Sequence, residues 1–290
     1  MSAELVQLLD DRVRRPGRIA ELAAGRARPT SVLGASGRLM LVAADHPARG
    51  ALRAGDLPLA MADRWGLLQR LCVALSRPGV DGVLATADIL EDLLLLGALE
   101  GKVVIGSMNR GGLAGTCFEI DDRFTGYDAE AIDRSAFQGG KMLLRIDPED
   151  PATARTLEAC ANAVSALAHR SLLAIVEPFI SHRVDGRVRN DLTTEAVIRS
   201  ATVASGLGST SAHTWLKLPV VDDMTDALAA TTLPVLLLGG EVGSDQRAQF
   251  AQWSQALASP QVKGMVVGRT LLYPPDGDVA AAVDATVEMM

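Results

Sequence analysis

Short runs of almost unbroken apolar residues alternate along this chain with longer stretches in which apolar positions recur every three to four residues. The short runs fall at 39–45, 81–86, 102–108, 141–146, 172–178, 213–220, 233–240 and 263–269. Strands of a parallel sheet buried on both faces have this pattern. The longer stretches, at 59–76, 88–99, 128–137, 151–168, 193–205, 223–230, 244–258 and 278–289, have the helical period. Asp88, Asp128, Thr193 and Ser244 stand where helix N-caps belong. Eight strands, each followed by a helix, predict an α/β fold of one kind, a single (β/α)8 TIM barrel. Residues 3–25 read as an extra helical segment. The chain 1–290 is thus one domain, an N-terminal helical cap over 1–38 and a barrel over 39–290. A doubly wound open sheet is the alternative. It usually carries a glycine-rich dinucleotide turn after its first strand, and AADHPARG is not G-x-G-x-x-G.

Catalytic groups in such a barrel project from the C-terminal ends of the strands. The polar residues there are few: Asp45 and His46, Asn109 and Arg110, Lys141 and Arg145, Glu177, Lys217, Gly239 and Gly240, Gly268 and Arg269. Lys217 stands out because it lies in the apolar run TWLKLPV and shares a face with Trp215 and Pro219. A lysine so placed points into the barrel. Burial and a second nearby cation both favour loss of an amine's proton, as nucleophilic attack requires; Lys141, opening the fourth run, is the cation available. Glu177 ends the fifth run and is placed for acid–base work, and Asp45 ends the first. The bland readings are a snorkelling lysine, a barrel-bottom charge, a salt-bridged glutamate and a turn aspartate. Gly239 and Gly240, with Gly268, permit close backbone approach to a phosphate after strands seven and eight. Arg269 adds a charge-assisted contact there, and Arg145 and Arg110 extend the substrate-binding set. The long third loop, NRGGLAGTCFEIDDRFTGYD, is either a lid or an oligomer contact.

Composition sharpens this picture in one respect. Only four of the 28 basic residues are lysine, namely Lys102, Lys141, Lys217 and Lys263. A lysine kept in so arginine-rich a chain marks a position where a guanidinium cannot serve. Cys72, Cys117 and Cys160 are far apart, which disfavours a disulfide framework or zinc knuckle and suits a reducing cytoplasm. A net charge of −7 without a basic stripe argues against nucleic acid, and no apolar run is long enough for a membrane span. Of the four histidines, only His46 and His182 fall near the expected site, so no metal and no cofactor is expected.

The order Asp45 on strand one, Lys141 on strand four (GGKMLLRIDPEDP), Glu177 on strand five (AIVEP) and Lys217 on strand six (WLKLPV) resembles the superfamily of bacterial tagatose-bisphosphate and archaeal-type fructose-bisphosphate aldolases. The likeness runs from Leu39 to Tyr273 and is nearest to the 6-phospho-5-dehydro-2-deoxygluconate aldolases of myo-inositol breakdown. It implies retro-aldol cleavage of a small-molecule sugar phosphate to dihydroxyacetone phosphate and an aldehyde, malonate semialdehyde in that branch. Lys217 would form the Schiff base, Glu177 would assist its dehydration, and Lys141 and Asp45 would flank the amine and the reacting hydroxyl. Gly239, Gly240, Gly268 and Arg269 would hold the phosphate. A homo-oligomer is the expected assembly. The first strand departs from the pattern, reading AADHPARG where a family-like turn reads DQR. Two other readings remain at this level: a non-covalent isomerase or epimerase using Glu177 and Asp45, and a catalytically inert barrel serving as an interaction subunit.

Overall fold

The computed structural model describes residues 2–240 and 246–290. Two helices, α1 (Ala3–Arg14) and α2 (Arg18–Gly25), precede the sheet. Then follow β1 (Leu39–Ala43), α3 (Arg64–Ser76), β2 (Gly82–Ala85), α4 (Ala87–Leu95), β3 (Val103–Ser107), α5 (Ala129–Arg134), β4 (Gly139–Ile146) and α6 (Ala152–Ala168). The second half comprises β5 (Leu173–Val184), β6 (Arg187–Asp191), α7 (Thr194–Ser205), β7 (Thr214–Leu218), α8 (Met224–Ala229), β8 (Val235–Leu238), α9 (Gln246–Leu257), β9 (Val262–Val267), α10 (Arg269–Leu272) and α11 (Val279–Val287). The strands run in the order β4-β3-β2-β1-β9-β8-β7-β5, and β4 also pairs with β5, so the parallel sheet closes into an eight-stranded (β/α)8 barrel. Among the described residues no helix is long and apolar enough to cross a membrane.

Two apolar layers follow from the alternation of side chains along each strand. Met40, Val42, Val83, Val104, Met142 and Val176 face outward into the layer shared with the helices. Leu39, Leu41, Ala43, Val103, Ile105, Leu173, Ile175, Leu236 and Val266 form a separate cluster inside the barrel, with Trp215 packed against it. Val32 and Leu33 also pack against this inner cluster. Helix α1 lies instead against α4, where Arg12 meets Asp92 at 2.7 Å and Glu91 at 3.2 Å. Beyond α2, Arg26 donates to the carbonyls of Lys102 and Ala136, near the starts of β3 and β4.

Several expected boundaries move. The fourth strand begins at Gly139, so Lys141 lies within it rather than at its start. Residues 59–62 form turns, and α3 starts behind the Asp63 cap. Helix α4 starts behind Thr86, which places Asp88 in its first turn, and the expected cap Ser244 lies outside the described residues. Pro178 does not end the fifth strand. Pairing with β7 stops at Val176, pairing with β6 begins at Ile180, and Pro178, which has no N–H to give a ladder, falls between them. The β5–β6 hairpin turns at Asp185 and Gly186, both with positive φ (50° and 75°), the geometry that a two-residue type I′ turn demands.

Gly264 occupies the irregular step where Val235 pairs with Val262 and Leu236 with Gly264. Its φ of +139° is closed to side chains, and an added Cβ would lie 2.0 Å from the Leu39 carbonyl oxygen. Gly264→Ala is therefore expected to lower unfolding free energy by at least about 1–3 kcal/mol in urea denaturation. Unchanged stability would mean that the β1–β9 seam tolerates the clash.

Candidate active site

The same alternation that fills the barrel's lower layer with apolar side chains sets a polar layer above it. Continuing the inward parity by one step, Ala43 leads to Asp45, Ile105 to Ser107, Ile175 to Glu177 and Trp215 to Lys217. On β4, register places Lys141 beside Ser107 of β3 and Ile175 of β5. All are nearly inaccessible: Ser107 is 0%, Lys141 1%, Asp45 2%, Lys217 5% and Glu177 8% exposed.

These side chains form one chain of contacts. Lys217 Nζ lies 2.6 Å from Glu177 Oε1. The other oxygen of Glu177 meets Lys141 Nζ, which also reaches Asp45 Oδ2 at 3.2 Å. Arg110 pairs with the same Asp45 oxygen, while Ser107 Oγ donates to it at 3.0 Å and accepts from Arg110 Nε at 2.9 Å. Burial opposes ionisation of Asp45, but Arg110 and Lys141 outweigh it and hold the carboxyl well below its usual range. Burial likewise opposes ionisation of Glu177, and the two lysines pull it down. Burial, aided by Arg110, lowers Lys141 against the attraction of Asp45 and Glu177. His46 follows Asp45, with its Nδ1 3.8 Å from Asp45 Oδ1. Burial pushes its imidazole down to about 3 despite Asp45, with Arg269 and Lys217 acting in the same direction, so the ring is neutral at pH 7.

The four expected catalytic residues therefore converge, and Arg110 joins them. Ser107 was missed, although its parity on the third strand would have found it. Arg145 is placed differently. It is buried, and its terminal nitrogens go to Glu119 Oε1 at 2.5 Å and to the carbonyls of Glu119 and Gly112. Glu119 also pairs with Arg49 at 3.1 Å, and Asp122 accepts from Gly112 N at 2.9 Å. Arg145 thus anchors the third loop, which takes it out of the expected phosphate-binding set. The glycines after β8 and β9 are adjacent: a Cβ on Gly239 would lie 2.4 Å from Val267 Cγ1, and Thr270 Oγ1 reaches the Gly239 carbonyl at 3.4 Å. Gly240 has φ +69°, Gly268 precedes α10, and Arg269 Nη1 donates to the Arg53 carbonyl at 3.4 Å. The turn completing the β8 end, 241–245, lies outside the described residues. Among the described residues no three His, Cys, Asp or Glu side chains converge as metal ligands.

Fold and site together define a TIM barrel with a buried lysine–carboxylate cluster among the residues that follow its inner apolar layer. Residues 37–287 match the model of the Cgl0159-like family, and the chain belongs to that family. The crystal structure of Cgl0159 from Corynebacterium glutamicum (Brevibacterium flavum) superimposes with a TM-score of 0.97 at 52% identity, covering 100% of this chain and 97% of that one. A Schiff-base-forming fructose-1,6-bisphosphate aldolase matches with a TM-score of 0.66 at 19% identity, over 93% of this chain and 99% of that one. An archaeal fructose-1,6-bisphosphate aldolase, with its catalytic lysine covalently bound to the carbinolamine intermediate, matches with a TM-score of 0.63 at 18% identity, over 93% and 98%. At these identities the likeness is one of fold. The chain has no significant match among curated proteins.

Proposed function

We propose that the protein is a class I aldolase that cleaves a phosphorylated sugar or sugar acid through a Schiff base on Lys217. The observation that carries this reading is the contact of Lys217 with Glu177, whose second oxygen is held by Lys141. A nucleophile within hydrogen-bond reach of a base, with the base oriented by a third group, is the arrangement covalent catalysis needs. Lys141 is clamped between two carboxylates, whereas Lys217 contacts one. Lys217 is therefore the amine that can leave its partner and attack.

Its neutral amine adds to the substrate carbonyl after passing a proton to Glu177. Glu177 returns a proton to the carbinolamine oxygen, which departs as water and leaves a protonated imine. As the carbon–carbon bond breaks, its electron pair passes into the imine to give an enamine. The hydroxyl on the departing carbon gives its proton to Asp45, which flanks it, and becomes the aldehyde carbonyl. That proton passes on to the enamine carbon, and hydrolysis of the resulting imine by water releases the ketone and restores Lys217. Asp45 and Lys141 flank the reacting hydroxyl and the amine, and the ends of β8 and β9, with Arg269, receive the phosphate.

Within this class the motif order favours 6-phospho-5-dehydro-2-deoxygluconate as substrate, with dihydroxyacetone phosphate and malonate semialdehyde as products. Purified protein is expected to release dihydroxyacetone phosphate from it, faster than from fructose 1,6-bisphosphate, and to do so undiminished after exhaustive chelation. Activity lost on chelation and restored by a divalent cation would overturn the metal-free mechanism.

A further inference from the structure

We propose that His46 is a substrate-binding residue: its Nδ1 and the Oδ1 atom of Asp45 together grip the substrate hydroxyl on the carbon that departs as the aldehyde. The proposal rests on the Schiff-base reading and adds to it a residue that the motif order does not supply, since the corresponding turn departs from DQR at this position.

Three observations carry it. First, the contacts that fix Asp45, from Ser107, Arg110 and Lys141, all fall on Oδ2. Its other oxygen is turned toward His46. Second, His46 Nδ1 is buried and has no hydrogen-bond partner. A buried polar atom left without one is costly, so a site that keeps it so is built for something that arrives. Third, the gap between Nδ1 and Oδ1 is 3.8 Å, too long for a hydrogen bond between them. An oxygen placed about 2.8 Å from both would subtend about 85°, an angle a hydroxyl satisfies by donating to the carboxylate while accepting from the ring N–H. A water molecule or a substrate hydroxyl fits that position, and an apolar group does not.

The ring is also held in place by the backbone. A methyl on Gly268 would come within 3.1 Å of His46 Cε1 and 2.6 Å of the Ala43 carbonyl oxygen, so the imidazole rests on the backbone where β9 ends. His46 therefore stands between the lysine–carboxylate cluster and the glycine-flanked end proposed for the phosphate. A hydroxyl held at both its lone pair and its proton is also fixed in the orientation that bond cleavage requires.

The test separates this inference from the reading beneath it. Dihydroxyacetone phosphate carries the carbonyl that Lys217 attacks but lacks the hydroxyl assigned to His46. Borohydride trapping with dihydroxyacetone phosphate is therefore expected to proceed equally in wild type and His46→Ala, which also shows that the variant is folded. Condensation of dihydroxyacetone phosphate with malonate semialdehyde, or with glyceraldehyde 3-phosphate if the first is not accepted, is expected to fall on the order of 100-fold in His46→Ala. The loss should lie mainly in kcat. His46→Asn, whose amide can reach the Nδ1 position, is expected to recover part of the rate. Normal condensation by His46→Ala overturns the inference and leaves the Schiff base standing. Failure of the wild type to trap overturns both.

Discussion

Lys217→Arg is expected to fold as the wild type does and to lose cleavage by about 10,000-fold or more, the scale on which removing a covalent group leaves only binding and electrostatics. A carbon–carbon bond breaks heterolytically only if its electron pair has somewhere to go. A protonated imine accepts that pair far better than a ketone. An arginine at position 217 keeps a positive charge beside Glu177, so the buried ion pair survives and the fold with it. It cannot form the imine, because a guanidinium stays protonated and is a poor nucleophile. The variant thus removes chemistry while keeping charge. Circular dichroism and denaturation midpoints should match the wild type while turnover disappears. An isomerase using Glu177 and Asp45 without a covalent step would tolerate the change, and retained turnover would favour that reading.

The second large effect is expected at Lys141, and it is one of stability as well as rate. Its Nζ bridges Asp45 and Glu177 deep in the barrel. Lys141→Met removes the shared cation, leaving Asp45 with Arg110 and Ser107 and Glu177 with Lys217. Losing one partner from such a network costs up to about 3–5 kcal/mol, because both carboxylates stay desolvated with one cation fewer. The pH dependence follows from the direction of the shifts. Asp45 and Glu177 are held below their ordinary values in the wild type. Their ionised forms therefore contribute stability that is fully present above the unfolded carboxylate pKa, near ~4, and lost as pH falls through the folded values. In Lys141→Met both carboxyls rise from these lowered values but keep Arg110 and Lys217 as partners. The deficit relative to wild type is therefore full at pH 7 and shrinks as pH falls below ~4 through the variant's folded values. Urea denaturation at pH 7 and through the acid range below ~4 measures it. A deficit independent of pH would mean that Lys141 acts through packing and not through charge.

The barrel was legible because its strands are buried on both faces and leave continuous apolar runs, and the runs place Asp45, Glu177 and Lys217 without reference to contacts. The parts that the runs do not predict have local causes. The β5–β6 hairpin went unseen because Pro178 reads as a stop, and the signal beyond it, Asp185–Gly186 between two short runs, is a turn signature lying past that apparent end. Ser107 was invisible as a lone small polar residue, although it shares inward parity with Ile105. Arg145 shares inward parity with Lys141, and parity alone cannot say that the third loop folds back to present Glu119 to it. What Asp45 and His46 do as a pair depends on which carboxylate oxygen is already occupied, a fact that only the side-chain contacts supply.

A covalent bond to Lys217 can be trapped and located. Wild-type protein is incubated with dihydroxyacetone phosphate, reduced with borohydride, digested and mapped by mass spectrometry. A stable secondary-amine adduct is expected on the peptide containing Lys217, absent in Lys217→Arg. An adduct on Lys141 would exchange the roles of the two lysines, and no adduct on either, in protein that still cleaves its substrate, would contradict the Schiff-base mechanism outright.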